Sequence, residues 1–460
     1  MQPDFESLDL AVKKAGARGA TEAEAYLERE LGLTVKVFGG NVERFAYAET
    51  RGIGLRLYLG DRQGRAYTSD LSPEAIDEAV SSALASAEVS EPEPARRLPD
   101  PSLYAPGTSD GTYLGEDLEI MVGDLADVSA GEKIEFAVDM ERRSRDYDER
   151  VTGVETSTYS ESTAEVLLVN SLGLRSGYRA SICYGYVMAI AEQNGESQTG
   201  FGFTAGRSFG SLDAGAASDE AASMAVDLLG ARQVETARVP VLIDNLSTAE
   251  MLAVLGAAVS GESVSKGRSY LASRLGDQVA SELVNIVDDG LMKGGYGTAP
   301  FDGEGVAATR KKIVDSGTLS NFLHNCYTAT RMGATTTGNA GRSSFRTQVG
   351  VSPTNIFLEG GTQTPEELMS GMGTGFQVME LQGVHVGLNP VTGEVSVGAK
   401  GRWVEKGRPT HAVREVTIAG MLDDILKGIV GIGNDIRFTP LLGGIGTPSI
   451  LIEGLAVSGK

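Results

Sequence analysis

Few residues in this sequence are suited to binding a metal ion. Zinc sites are built from His, Cys, Asp and Glu at short spacings, and the chain has three His and two Cys. His324 and Cys326 form its only His/Cys cluster, and alternate residues of a strand share one face, so two ligands could converge there. The neighbouring Asn321, Tyr327 and Thr328 are more typical of a polar turn. We therefore interpret the segment as polar packing and keep His324 and Cys326 as alternative metal ligands.

Two pairs of acidic residues could carry out acid–base catalysis. Asp288 and Asp289 are adjacent, and Asp302 is close to Glu304 in the sequence. A general acid or base needs its carboxyl group beside the reacting atom. In a chain rich in glycine, however, neighbouring acids are typical of solvated turns. We therefore expect these four side chains to lie at such turns.

Other local signatures of catalysis do not occur in the sequence. His385 and His411 stand alone, which favours structural roles. The segment 260–263, Ser-Gly-Glu-Ser, lacks the spacing and the preceding strand of a nucleophile elbow. The glycine runs at 371–375 and 443–446 lack the phosphate-loop patterns, so we expect tight turns there. The residues alone thus indicate no evident active site.

The charge of the chain argues against a polyanionic partner. Lys and Arg number 40 against 62 Asp and Glu, which gives a formal net charge of −22. DNA and anionic lipid are held mainly by Lys and Arg, and no basic stripe runs along the sequence. We expect no direct binding to nucleic acid or to membranes.

The sequence favours a cytoplasmic protein. The first 30 residues are acidic in places and lack the basic start and apolar core of a signal peptide. No stretch approaches the roughly 20 apolar residues that cross a bilayer. Two cysteines, Cys183 and Cys326, are too few for a disulfide framework.

The first 90 residues have the pattern of helices packed on antiparallel strands. Asp4 is a candidate N-cap for a first helix. Alternating apolar residues predict three short strands, at 33–37, 45–47 and 53–57. The sequence Ser-Pro-Glu from Ser72 predicts a second helix, because proline favours the first helical position.

Changes in composition divide the chain into four segments. Five of the 15 prolines lie between Pro92 and Pro106, which predicts a linker. A polar helix is expected around 116–147, and a closing helix near 417–429. The predicted fold is α+β: an N-terminal region of two α/β units with antiparallel sheets and packed helices, then a larger, mainly β C-terminal domain. The predicted segments are 1–90 (N-terminal α/β unit), 91–110 (linker), 111–232 (second α/β unit) and 233–460 (β-rich domain).

Several segments of the C-terminal third resemble the TldD/PmbA family. Matching segments in the middle and near the N terminus extend the resemblance over nearly the whole chain. The segments are NPVTGEVSVGAKGRWVEKG from Asn389, HAVREVTIAGML from His411, GIGNDIRF from Gly431, GGIGTPSILIEGLAVSG from Gly443, VASELVNIVDDGLM from Val279 and NVERFAYAETRGIGLRLYLGDRQGRAY from Asn41.

The resemblance implies a cytosolic metallopeptidase complex of two related subunits, TldD and PmbA, the latter also called TldE. The family was once labelled a modulator of DNA gyrase, and it is associated with maturation of a peptide antibiotic and removal of an unfolded antitoxin. TldD carries His-Glu-x-x-x-His on a helix and a cysteine as the third zinc ligand. Its glutamate would activate the zinc-bound water.

This sequence lacks the residues of that motif. Alignment on the surrounding glycines places the two histidine positions at Leu252 and Ala257 and the glutamate position at Ala253. The stretch 436–443, where TldD has its cysteine, contains none. The resemblance therefore implies a PmbA/TldE-type chain with no catalytic residue and no metal at Leu252, Ala253 and Ala257.

The helix that carries these positions, at about 247–259, is apolar nearly all round. Such a helix is typically buried, and we expect it to fill the vacated site with core. Glu250 and Glu262 near its ends are expected to be caps or solvated.

The sequence thus indicates a non-catalytic subunit that holds no cofactor itself. We expect it to pair with a TldD-like metallopeptidase that carries the zinc, to form a homodimer when alone, and to help enclose an unfolded peptide. One alternative is a self-sufficient hydrolase that uses His324, Cys326 and the Asp288–Asp289 pair. Another is a regulator that binds DNA gyrase.

Overall fold

The computed structural model describes residues 4–123 and 125–460. Its N-terminal region is built on one six-stranded antiparallel sheet of order β3-β2-β1-β4-β5-β6. The strands before and after the proline-rich connection therefore belong to the same sheet. They are β1 (Glu22–Phe38), β2 (Asn41–Leu59), β3 (Arg62–Thr68), β4 (Val151–Asn170), β5 (Arg175–Gln193) and β6 (Glu196–Gly206).

Four helices cover one face of this sheet. Leu167 and Val169 point towards the first two helices, whereas Leu168 between them points to the opposite face, where it packs with Phe301 of the C-terminal half. This alternation follows from the two-residue period of a strand. The helices are α1 (Glu6–Ala17), α2 (Pro73–Val89), α3 (Ala130–Asp146) and α4 (Ala214–Asp227).

The proline-rich connection follows the surface of both halves. Leu98 and Ala105 are buried, and Tyr104 forms an isolated β-bridge with Val306. The hydroxyl of Tyr104 also accepts a hydrogen bond from Asn170 Nδ2 at 2.8 Å. The segment is therefore fixed by contacts, and the boundaries 1–90, 91–110, 111–232 and 233–460 stay a prediction.

The C-terminal half contains two further six-stranded sheets, of order β16-β15-β14-β7-β20-β17 and β10-β9-β8-β13-β19-β18, and a small β11-β12 pair. Both large sheets contribute to one core with the first helix of this half, which supplies Leu252 and Leu255. The strands are β7 (Ala237–Ile243), β8 (Ile286–Asp289), β9 (Arg310–Asp315), β10 (Thr318–Leu319), β11 (Ala340–Gly341), β12 (Gly350–Val351), β13 (Ile356–Leu358), β14 (Gly375–Gln382), β15 (Glu394–Glu405), β16 (Arg408–Met421), β17 (Ile429–Ile432), β18 (Arg437–Thr439), β19 (Ile445–Thr447) and β20 (Ile450–Ser458). The helices are α5 (Asn245–Ala258), α6 (Gly261–Ser265), α7 (Cys326–Met332), α8 (Pro365–Met372), α9 (Val384–Gly387) and α10 (Leu422–Lys427).

Three sequence-based element predictions differ from the structure. The runs at 45–47 and 53–57 belong to one long strand, β2. Only the second half of 116–147 forms an α-helix, α3. The first part of the helix expected at 417–429 is the end of β16, and only the six residues of α10 are helical there. The predicted fold class itself is confirmed: sheets and helices in an N-terminal region, then a mainly β part.

Among residues 4–123 and 125–460, no helix is both long and apolar enough to cross a bilayer.

Candidate functional site

Helix α5 carries the three positions that the resemblance assigns to a metal motif. It begins after Asp244, whose Oδ1 accepts a hydrogen bond from the Ser247 N–H at 2.7 Å, as an N-cap does. Leu252 is buried in the core, Ala253 is half-buried and Ala257 is exposed. The expectation that core fills the whole site is therefore wrong for Ala257. None of these side chains has a donor atom, so zinc does not fit this face of the helix.

His324 and Cys326 do not share a strand face, because Cys326 is the first residue of helix α7. The imidazole of His324 is buried, and its Nδ1 lies 3.1 Å from Thr328 Oγ1, within hydrogen-bond distance. Burial lowers the pKa of His324. Burial and the nearby carboxylate of Glu304 raise the pKa of the Cys326 thiol, which disfavours the thiolate that a nucleophile or ligand requires. Within residues 4–123 and 125–460, no three His, Cys, Asp or Glu side chains form a group that could hold a metal ion.

Asp288 and Asp289 lie on strand β8 and are buried, so the prediction of solvated turns is wrong. Asp288 Oδ1 accepts a hydrogen bond from the Thr354 N–H at 2.6 Å. Its Oδ2 accepts from Asn339 Nδ2 at 2.8 Å and lies 3.0 Å from Lys311 Nζ. These donors compensate the cost of burying the charge. The side chain therefore holds three chain segments together.

Glu304 belongs to a buried ion network that joins the two halves. Its Oε1 lies 2.6 Å from Arg56 Nη1, and Glu24 Oε2 lies 2.8 Å from Arg56 Nη2. Arg342 completes the network through Glu24. Asp302 lies beside it, and burial together with Glu304 raises the pKa of Asp302 to about 7. The expectation that Asp302 and Glu304 sit at solvated turns is therefore also wrong.

The other two histidines have few contacts. His385 is exposed on α9. His411 lies on β16, and its Nδ1 is 3.1 Å from Thr410 Oγ1. The glycine run at 443–446 contains the expected turn, since Gly443 and Gly444 both have φ of +84°.

A cavity of about 560 Å³ lies between the two halves, and we call it the acidic cleft. Apolar side chains, three of them methionines, line it together with polar side chains and four carboxylates. Met side chains are flexible and polarisable, so such a wall can adapt to different occupants. The main lining residues are Met188, Phe201, Met224, Met379, Leu381, Leu441 and Leu442, with the acids Glu220, Asp244, Glu250 and Glu380.

Glu250 is one of two carboxylates of the acidic cleft with a strongly raised pKa. It lies within α5 rather than at its start, and its Oε2 is buried without a hydrogen-bond partner among the described residues. Burial, and then the charge of Glu380, raise the pKa of Glu250 to about 7. Burial also raises the pKa of Asp244 to about 7. The prediction of a cap or a solvated side chain is wrong for Glu250, whereas Glu262 is solvated and pairs with Lys266 at 2.5 Å.

Two strand edges border the acidic cleft. Strand β6 is the last of its sheet. The Phe203 N–H donates to Glu220 Oε2 at 3.3 Å, and the Phe203 carbonyl accepts from Arg437 Nη2 at 2.6 Å, so these groups face away from β5. By the two-residue alternation, the backbone groups of Thr199 and Phe201 face the same way, and they have no hydrogen-bond partner there among the described residues.

The second edge belongs to β14. Within β14, the pairing with β7 covers only Phe376–Val378, whereas the strand runs on to Gln382. Residues 379–381 therefore continue past β7 and line the cleft. An extended chain placed in the cleft would meet open backbone groups from one half and side chains from the other.

Family comparisons match the chain in three consecutive parts. Models of PmbA/TldA metallopeptidase domain 1, the central domain and the C-terminal domain match residues 23–87, 123–229 and 236–459. This order of domains defines a chain of the metallopeptidase type. Metalloprotease PmbA of Escherichia coli O157:H7 is 30% identical over 459 residues, with 99% of this chain and 96% of that protein covered. The chain belongs to the PmbA/TldD family.

Solved structures have the same fold. A proposed modulator of DNA gyrase from Thermotoga maritima is 28% identical, with a TM-score of 0.87 over 98% of this chain and 99% of that chain. TldE from Thermococcus kodakarensis has a TM-score of 0.85 at 20% identity, with 98% and 100% covered. The second likeness supports the fold alone.

Proposed function

We propose that the chain is the non-catalytic subunit of a two-subunit metallopeptidase and pairs with a TldD-like subunit that carries the zinc. The observation that carries the proposal is helix α5, where Leu252, Ala253 and Ala257 offer no metal ligand and no base. The contacts of His324 and Cys326 give the chain no substitute site. The complex would work in the cytoplasm, and the chain alone would form a homodimer.

The acidic cleft is the proposed place where this subunit holds an unfolded peptide. An extended peptide can add to a sheet as a further strand, with affinity from backbone hydrogen bonds. The outward backbone groups of Thr199 and Phe201 supply such an edge. Because backbone pairing is independent of sequence, the apolar wall and Glu250 would select which side chains fit beside it.

The subunit role is tested by zinc content and peptide hydrolysis of the purified chain, alone and mixed with a TldD-like protein from the same organism. We expect hydrolysis of an unfolded protein such as casein by the mixture and none by this chain alone. The TldD-like protein alone is the control that shows whether this chain contributes. Stoichiometric zinc and hydrolysis by this chain alone would overturn the proposal.

The peptide site is tested by removing one outward donor from β6. Proline at an edge position loses only an N–H that does not serve the sheet, so Thr199→Pro should raise the KM of the mixture for an unfolded peptide. Thr199→Ala keeps the N–H and is the matched control. Circular dichroism checks that both variants fold. An unchanged KM for a folded Thr199→Pro variant would reject this strand as the binding edge.

A further inference from the structure

A second cavity, of about 310 Å³, is lined by four arginines and by no acidic residue. We call it the arginine pocket. This composition is unusual for a chain in which acids outnumber bases by 62 to 40. The pocket lies between the β2–β3 hairpin and the segment 342–349, and it shares no lining residue with the acidic cleft. Its residues are Gly54, Leu55, Arg56, Arg65, Ala66, Tyr67, Arg342, Phe345, Arg346, Thr347 and Val349.

The pocket depends on a close approach of two chain segments. A Cβ atom on Gly54 would lie 2.1 Å from the carbonyl oxygen of Phe345, and one on Gly52 would lie 2.2 Å from its ring. Only glycine therefore allows the segment 342–349 to pack on β2 at this distance. The close packing places Arg342 and Arg346 over the arginines of the hairpin.

The two arginines at the bottom of the pocket are buried and neutralised. Arg56 lies between Glu24 and Glu304, and Arg342 binds Glu24. The positive charges of these two arginines are thus balanced by the negative charges of the two glutamates. Arg56 Nε, however, is buried without a hydrogen-bond partner among the described residues. The bottom of the pocket therefore keeps one unused donor.

The two arginines at the rim have no counter-charge. Arg65 and Arg346 are exposed, and neither forms an ion pair with a carboxylate within the described residues. The Arg346 guanidinium lies 5.0 Å from the ring centroid of Phe345 and 5.9 Å from that of Tyr67. Partial burial and the neighbouring arginines lower the pKa of Arg65. Positive charge from these two side chains is therefore concentrated at the rim.

We propose that the arginine pocket binds a small molecule that carries several oxyanion charges, as a phosphate ester or a polycarboxylate does. The planar guanidinium group matches both kinds of oxyanion through paired N–H donors. The volume is at the lower end of the range for small-molecule sites. A ligand at the rim would pair Arg65 and Arg346, which form no ion pair among the described residues, and its body would lie against Tyr67 and Phe345.

The proposal is tested by calorimetric titration of the full chain with pyrophosphate and, separately, with citrate, at constant ionic strength. We expect saturable binding of at least one probe, and the tighter one identifies the phosphoryl or the carboxylate class. Arg65→Gln combined with Arg346→Gln should weaken that binding by about tenfold or more, because two charge-assisted contacts are lost. Arg44→Gln combined with Arg408→Gln removes the same charge from exposed sites elsewhere and should leave the affinity unchanged.

Two results would overturn the proposal. One is the absence of saturable binding for both probes. The other is equal loss of affinity in the rim variant and in the control, which would show that net charge rather than the pocket attracts the anion. Because Arg65 and Arg346 are exposed, both substitutions should leave the fold intact, and the Arg65→Gln single variant provides a second, milder check.

Discussion

Glu250 gives the sharpest test of the acidic cleft, because one substitution removes its titration without changing its shape. Burial raises the pKa of Glu250 from the usual 4.5 to about 7. A complete shift of this size corresponds to about 3.4 kcal/mol. The side chain is only half-buried, and solvent screening reduces the figure to about 1 to 2 kcal/mol. Glu250→Gln keeps the neutral form at every pH and should remove this cost.

The direction in which the free energy of unfolding changes with pH follows from proton binding at Glu250. Between pH 4.5 and about 7 the folded chain holds a proton at Glu250 that the unfolded chain has released. The free energy of unfolding therefore falls as the pH rises through this window and levels off above it. We expect the free energy of unfolding of Glu250→Gln to equal that of the parent near pH 4.5 and to exceed it by about 1 to 2 kcal/mol at pH 8.

The assay is urea unfolding of the parent and of Glu250→Gln at a series of pH values. The difference between the two curves separates Glu250 from distant titrating groups such as Asp302. Glu262→Gln is the matched control, since Glu262 is solvated and pairs with Lys266. A constant difference from pH 5 to 8 would refute the reasoning, because it would show that Glu250 titrates alike in the folded and unfolded chain.

Three further outcomes are expected. Glu24→Gln should lower the free energy of unfolding, measured in urea, by about 3 to 5 kcal/mol, because two buried arginines lose a charged partner. As the control, Glu49→Gln removes an exposed ion pair and should lower the free energy of unfolding by less than about 1 kcal/mol. Phe45→Lys should weaken self-association in sedimentation, since Phe45 is 46% exposed on an unpaired strand edge, whereas Val89→Lys should not. Cys326 should react with iodoacetamide much more slowly in the folded chain than in urea, because its thiol pKa is raised.

Local signals in the sequence predicted those elements whose causes are local. Ser72 caps α2 by accepting a hydrogen bond from the Ala75 N–H, as Ser-Pro-Glu indicates. The alternation at 33–37 and 53–57 lies in β1 and β2 as expected. The position of Glu250 was also within reach, because Asp244 is a good N-cap and places Glu250 inside the helix.

Other features depend on contacts that no local pattern reveals. Separate strands were predicted at 45–47 and 53–57, but β2 is continuous, and Phe345 packs closely on its Gly52 and Gly54. The buried acids Asp288 and Glu304 resembled turn residues because their partners lie far away in the sequence. The arginine pocket has the same origin: no basic stripe runs along the sequence, yet separate segments bring their arginines together.

The two proposed sites share no lining residue, which allows them to be tested independently. Glu304 binds Arg56 through Oε1 and the Cys326 N–H through Oε2, so a change at Glu304 would disturb the bottom of the arginine pocket and the start of α7 together. Glu250 lines the acidic cleft and is not among the lining residues of the arginine pocket. Peptide hydrolysis should therefore respond to Glu250 and Thr199, and anion binding to the rim arginines. Loss of both functions on changing a rim arginine would indicate that the two halves move as a coupled pair.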